Sequence, residues 1–72
     1  MPIAHIHILE GRTVEQKRNL IKEISVSLSE NLEVSKDRVK VLLHEMPDEN
    51  WGSNGISKGE EKERDQFTRG SA

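Results

Sequence analysis

The sequence predicts an α+β fold: a β-α-β unit with parallel strands and a short C-terminal hairpin, its sheet completed by oligomerisation. Three observations carry this. Residues Ile3 to Leu9 alternate apolar positions with histidines, and residues Arg38 to Glu45 alternate again. Between them, Leu20, Ile21, Ile24, Leu28 and Leu32 recur at helical spacing. Strand, long helix, strand in that order makes the two strands parallel and the crossover right-handed.

The first strand begins almost at the start of the chain. Ala4, Ile6 and Ile8 share one face, and Ile3, His5, His7 and Leu9 the other. Glu10-Gly11 breaks it, since glycine supplies the backbone freedom that a turn demands. Thr13-Val14-Glu15-Gln16 then has the form of a capping box, in which the Thr13 and Gln16 side chains satisfy each other's free backbone N–H groups. Glu15 suits the positive end of the helix dipole. These signals place a helix from about Val14 to Leu32 with one buried face. Val34 to Asp37 reads as a polar connection holding a single helical turn capped by Ser35. In the second strand Val39, Val41 and Leu43 fall on one face, and Arg38, Lys40, Leu42 and His44 on the other. Met46-Pro47 ends it, because proline cannot donate to a ladder.

Beyond the second strand, Asp48 to Ile56 carries turn chemistry, with Asn54-Gly55 a favoured tight-turn pair. From Ser57 onward the chain is polar and charge-rich, with Phe67 its one large apolar residue. Residues 1–56 are therefore expected to form the domain. Residues 57–72 are expected to be a flexible tail, or one ordered only against a partner.

Composition narrows the function. Of 72 residues, 32% are hydrophobic and 33% charged, and none is cysteine, so neither disulfides nor thiolate metal sites are available. A chain this short and this polar buries too little surface to stand comfortably alone. Two strands and one helix also leave one sheet face open, whereas parallel sheets are normally covered on both. A second copy of the chain is the simplest cover. The formal charge of −2 argues against nucleic acid as a partner, and one Trp with one Phe makes no base-stacking platform. No apolar run reaches the roughly 20 residues of a membrane span. With no basic segment leading into a long apolar stretch at the N-terminus, no secretory signal is expected and the cytoplasm is the expected location.

The candidate for chemistry is Pro2. A Met1 followed by a small residue is normally trimmed, which would expose the proline nitrogen as a free secondary amine. Internal proline nitrogens are tertiary amides without a proton, whereas a terminal α-amino group titrates at about 7.7–8.0. Apolar burial and nearby cations push such an amine lower, toward the range a general base needs at neutral pH. A Met-Pro start alone equally serves only to permit Met removal, so the residues that follow must decide.

They do so through a resemblance. The run P-I-A-H-I-H-I-L-E-G-R from Pro2 to Arg12, E-Q-K from Glu15, V-K-V-L-L-H-E-M from Val39 to Met46 and N-W-G from Asn50 to Gly52 resemble the 4-oxalocrotonate tautomerase family, ungapped over about Pro2 to Gly55. The resemblance implies a tautomerase-like fold and a homohexamer built as a trimer of dimers, with sites where subunits meet. It also implies a cofactor-free proton shift in an enol or dienol of a 2-oxo acid, such as 2-hydroxymuconate. In that pattern Pro2 takes a proton from the 2-hydroxyl side and returns it to carbon. Arg12 grips a substrate carboxylate with its planar fork and disfavours the protonated amine. Trp51 walls the site and keeps it apolar, and the Leu9 backbone is a further polar contributor.

One departure stands out. The family's second arginine, given by another subunit to polarise the developing oxyanion, falls on Lys40, which keeps the charge but lacks the fork. One such donor is typically worth about 3–4 kcal/mol, so its placement governs turnover. Arg38, two residues earlier on the same predicted strand face, is the alternative donor. His5, His7 and His44 also form a three-histidine set, but without an acidic partner at fixed spacing they make a weak metal motif, and no metal or other cofactor is expected. Two other functions fit the scaffold less well. Haloacrylate hydration or dehalogenation needs a further water-activating carboxylate and a fuller arginine set. A non-catalytic oligomeric module would leave Pro2 as a processing signal only.

Overall fold

The computed structural model describes residues 1–71, with side-chain surroundings defined as far as Asp65; Ala72 and the Phe67 side chain lie outside the described residues. Strand β1 (Ile3–Leu9) is followed by helix α1 (Val14–Leu32) and strand β2 (Lys40–Met46). A short hairpin of β3 (Gly52–Ser53) and β4 (Ile56–Ser57) leads into helix α2 (Lys58–Ser71).

β1 and β2 pair in parallel, Ile3 opposite Lys40 and Leu9 opposite Met46. The ladder extends past both strand ends: Lys40 N–H donates to Pro2 C=O at 3.0 Å, and Glu10 N–H to Met46 C=O at 2.9 Å. Because side chains alternate along a strand, this register sorts the sheet into two faces. Ala4, Ile6, Ile8, Val41 and Leu43 lie on the half-buried face under α1, and Lys17 of α1 reaches Glu45 of β2 at 2.8 Å. Ile3, His5, His7, Lys40, Leu42 and His44 share the other face, which nothing among the described residues covers; Ile3 is 55% and Leu42 41% exposed.

Helix α1 begins and ends where the sequence places it. The Thr13 hydroxyl accepts from Gln16 N–H at 3.0 Å, and the Gln16 side chain accepts from Thr13 N–H at 2.9 Å, so the capping box is formed. Glu33 closes the helix in the left-handed region (φ 55°), where its N–H returns to Ser29 C=O. The apolar stripe is covered only in part: Leu20, Ile24 and Leu28 are half-buried, whereas Ile21 and Leu32 remain exposed.

Two boundaries differ from the sequence expectation. The second strand starts at Lys40, not Arg38, because Lys36–Arg38 form a 3-10 turn. Arg38 N–H donates to Ser35 C=O at 3.0 Å and Val39 N–H to Lys36 C=O at 3.1 Å, which takes both amides away from the sheet. Ser35 does stand at the head of the turn, but its hydroxyl bonds the Asp37 carboxylate and not the backbone. The second difference is α2, a helix where the sequence shows no apolar periodicity. Its support is local: Glu60 N–H donates to the Ser57 hydroxyl at 3.2 Å, and Lys58–Glu61 and Glu60–Arg64 pair at 3.5 and 3.9 Å along the helix. The expected hairpin is present, with Asn54 (φ 55°) and Gly55 (φ 85°) at its turn.

The chain by itself is open. Val39, at 8% exposure, is the one buried apolar residue among those described. The radius of gyration is 17.1 Å, against about 11 Å for a compact chain of this length. Its accessible surface is 5825 Å², where a compact folded monomer of this mass exposes about 4,500 Å².

The capping box is the best-defined local device holding α1. Thr13→Ala is expected to cost about 1 kcal/mol in urea denaturation at fixed protein concentration, and Thr13→Ser much less.

Candidate active site

The residues singled out from the sequence fall at two opposite ends of the β1–β2 ribbon. At the N-terminal end, Pro2 is half-buried and tied through its carbonyl to the Lys40 amide. Its nitrogen is an amide in the chain that begins with Met1, a residue that is 80% exposed. Lys40 lies directly beside it in the ladder, on the uncovered face, and its ammonium meets only the Asp37 carbonyl at 3.4 Å. Arg38 is at the same end and exposed, but in the 3-10 turn and not on the strand face as expected. Among the described residues, neither Lys40 nor Arg38 forms an ion pair. This end carries Lys36, Arg38 and Lys40 against Asp37, a net positive charge.

At the other end, Gly11 takes φ 115°, a conformation that side chains disfavour, and this turns the chain out of β1 into the α1 cap. Arg12 follows it, exposed, at the lip of a cleft of about 290 Å³ lined also by Ile8, Gln16, Lys17 and Leu20. The cleft has an apolar floor from Ile8 and Leu20. Lys17 is neutralised by Glu45, while Arg12 forms no ion pair among the described residues, so Arg12 is the cation left to meet an anion there. Trp51 lies at this same end, half-buried in the connection that follows β2. Its N–H donates to Asp48 C=O at 3.3 Å and its carbonyl accepts from Lys58 N–H at 2.7 Å.

Seven residue steps separate Pro2 from Leu9, and at about 3.3 Å per residue the two ends of β1 stand about 23 Å apart. One chain thus keeps Pro2, Lys40 and Arg38 together, and Arg12 and Trp51 together, but does not join the two groups. The register of a parallel pair requires this.

The histidines do come together. His5 Nδ1 and His44 Nε2 are 2.9 Å apart, and the His44 ring stacks on His5 and His7 with centroids at 5.1 and 4.7 Å. The His5–His44 nitrogens are engaged with one another, and no group of three metal-ligating side chains is arranged for an ion among the described residues. Sequence reasoning missed the Lys17–Glu45 pair, since it joins residues 28 apart in the chain that only the helix–strand packing brings together. It also missed Lys62 of α2, whose ammonium is 2.7 Å from the Asp48 carboxylate.

Comparison with known proteins identifies the family. The sequence profile described as "Tautomerase enzyme" matches residues 2–61, most of the chain. This chain belongs to the tautomerase family. A 2-hydroxymuconate tautomerase from Stutzerimonas stutzeri is 49% identical over 57 residues, covering 79% of this chain and 90% of its relative. One from Pseudomonas putida is 47% identical over 55 residues, covering 76% and 87%. A structure of the 4-oxalocrotonate tautomerase isozymes from Methylibium petroleiphilum superposes with a TM-score of 0.84 at 35% identity, covering 88% of this chain and 98% of the other. That of a heterohexameric 4-oxalocrotonate tautomerase from Chloroflexus aurantiacus J-10-fl gives 0.79 at 33% identity, covering 83% and 97%. The protein is thus an isomerase of the keto–enol tautomerase class, and the matches favour this chemistry over hydration or dehalogenation. The tautomerase fold, a β-α-β unit with parallel strands and a C-terminal hairpin, is likewise shared with these structures.

Proposed function

We propose that this tautomerase acts on dienols of 2-oxo acids such as 2-hydroxymuconate, with Pro2 as general base once Met1 has been removed. The Pro2 amine accepts the proton of the 2-hydroxyl. The oxygen's electron pair becomes the new carbonyl, the double bonds shift along the chain, and the ammonium returns the same proton to carbon. No proton or electron is gained or lost overall, so no cofactor is needed.

Charge develops on the 2-oxygen as its proton leaves. The resemblance implies that this cation comes from another subunit; we assign the Lys40 of the same chain instead, because it is fixed beside Pro2 and its ammonium has no carboxylate partner among the described residues. The observation that carries the assignment is the 3.0 Å bond from Lys40 N–H to Pro2 C=O, which holds the two residues adjacent whatever else assembles around them. Arg38 is the reserve cation at this end. Arg12 grips a substrate carboxylate, its two parallel donors matching the two oxygens. Trp51 supplies an apolar wall, which raises the cost of a charged amine and so keeps Pro2 basic in its neutral form.

Arg12 and Trp51 follow the far ends of the two strands, and the run from Pro2 to Leu9 alone spans about 23 Å, too far for them to share one small substrate with their own Pro2. A complete site therefore takes Pro2 from one copy and Arg12 from another, and the homohexamer that the resemblance implies, a trimer of dimers, is the assembly we assign to provide it. The open sheet face and the large exposed surface of the single chain support this. The excess over a compact monomer, about 1,300 Å², is of the size that specific interfaces bury.

Pro2→Ala is expected to lower kcat for ketonisation of 2-hydroxymuconate by at least a hundredfold, measured by loss of the dienol absorbance, while the native mass is unchanged. Mass spectrometry of the active protein should find Met1 absent; a fully active protein retaining Met1 would exclude the base. If fork geometry limits turnover, Lys40→Arg should raise kcat on this dicarboxylate several-fold, whereas Lys40→Ala should lower it by roughly a hundredfold. No change at Lys40, with a large loss in Arg38→Ala, would move the oxyanion role to Arg38.

A further inference from the structure

The backbone of Trp51 sits inside a closed ring of contacts made by α2. Asp48 C=O takes the Trp51 N–H at 3.3 Å, and Trp51 C=O takes the Lys58 N–H at 2.7 Å. Lys58 is the first residue of α2, and Lys62 lies one helical turn further along. From there its ammonium returns to the Asp48 carboxylate at 2.7 Å, which closes the ring. Gly59 packs beside Asp48: a methyl group built on it would lie 3.8 Å from the Asp48 Cβ, in ordinary contact. Asp48 is thus held on two sides, through its carbonyl by Trp51 and through its carboxylate by the helix.

The surroundings of Lys62 give the pair a second consequence. Lys62 lines a cleft of about 390 Å³ with Glu10, Gly11, Pro47, Asp48 and Glu49. It is the one cation among those lining residues, set against three carboxylates, and the cleft begins one residue from Arg12. Lys62 also lies just past residue 61, where the match to the family profile ends.

We propose that Lys62 and Asp48 are positioning residues for substrate binding: their ion pair latches α2 onto the turn at residues 48–50 and so fixes the wall that Trp51 presents to the bound 2-oxo acid. The inference rests on the reading of Trp51 as a wall of the site. Both partners are partly solvated, with side chains 55% and 33% exposed, so the pair sets a position and contributes little to global stability. Its loss should therefore appear in KM and not in folding.

Trp51 is the chain's single tryptophan, so its fluorescence reports the wall directly. In the full-length, assembled protein, Lys62→Ala is expected to increase acrylamide quenching of Trp51. It should also raise KM for 2-hydroxymuconate by about three- to fivefold, with kcat within about twofold of the parent. The reversed pair, Asp48→Lys with Lys62→Asp, keeps the net charge and the latch, and is expected to bring both quenching and KM back toward the parent. Unchanged quenching in Lys62→Ala would overturn the proposal. So would altered quenching with an unchanged KM, which would leave the pair a merely structural contact, and so would a folded reversed pair that restores neither. Quenching is read without substrate and tests the latch alone, whereas a Trp51→Ala variant with an unchanged KM would show that the wall reading itself fails, so the two failures are distinguishable.

Discussion

A parallel strand pair cannot bring its own two ends together, and this constraint governs the rest of the molecule. The crossover through α1 forces β1 and β2 to run the same way, so every residue entering the ribbon lies at one end and every residue leaving it at the other. Pro2, Arg38 and Lys40 enter; Arg12 and Trp51 leave. The hydrogen bonds that extend the ladder, Lys40 to Pro2 and Glu10 to Met46, hold these two groups firmly at their separate ends. A chemistry that needs all of them on one small substrate is then possible only between chains.

The sparse packing of the chain points the same way. Among the described residues, one buried apolar side chain, Val39, is far less than a stable domain requires, and nothing covers the face bearing Ile3, Leu42 and the three histidines. Association would supply both the missing core and the missing half of the site. Stability and catalysis would then depend on the same contacts. The desolvation that assembly brings to the Pro2 end is also what a basic, neutral amine needs.

Much of this was legible in the sequence, and the reasons differ by element. Helix α1 could be placed to the residue because its start is written in side chains, Thr13 and Gln16, that bond the backbone directly. β1 and the core of β2 followed from strict alternation, and the turn at Asn54-Gly55 from residues that accept positive φ. The start of β2 was misplaced by two residues, since Arg38 continues the alternation but spends its amide in the turn opened at Ser35. Helix α2 was invisible because its support is ionic and capping, with no apolar stripe for a periodicity to find. Among the residues proposed for the site, Pro2, Arg12, Lys40 and Trp51 were singled out by motif. Their division between two ends, and the partner that Lys62 finds in Asp48, arise from register and packing between residues distant in the chain.

The central claim is that each site is shared between chains, and subunit mixing tests it most directly. Pro2→Ala and Arg12→Ala variants, each nearly inactive alone, would be unfolded together in equal amounts and refolded. In randomly mixed assemblies about a quarter of the sites would pair an intact Pro2 from one chain with an intact Arg12 from another, so activity should recover toward about a quarter of the parent's. A refolded mixture that assembles fully but stays as inactive as either variant would mean that Pro2 and Arg12 act within one chain, and would contradict the account.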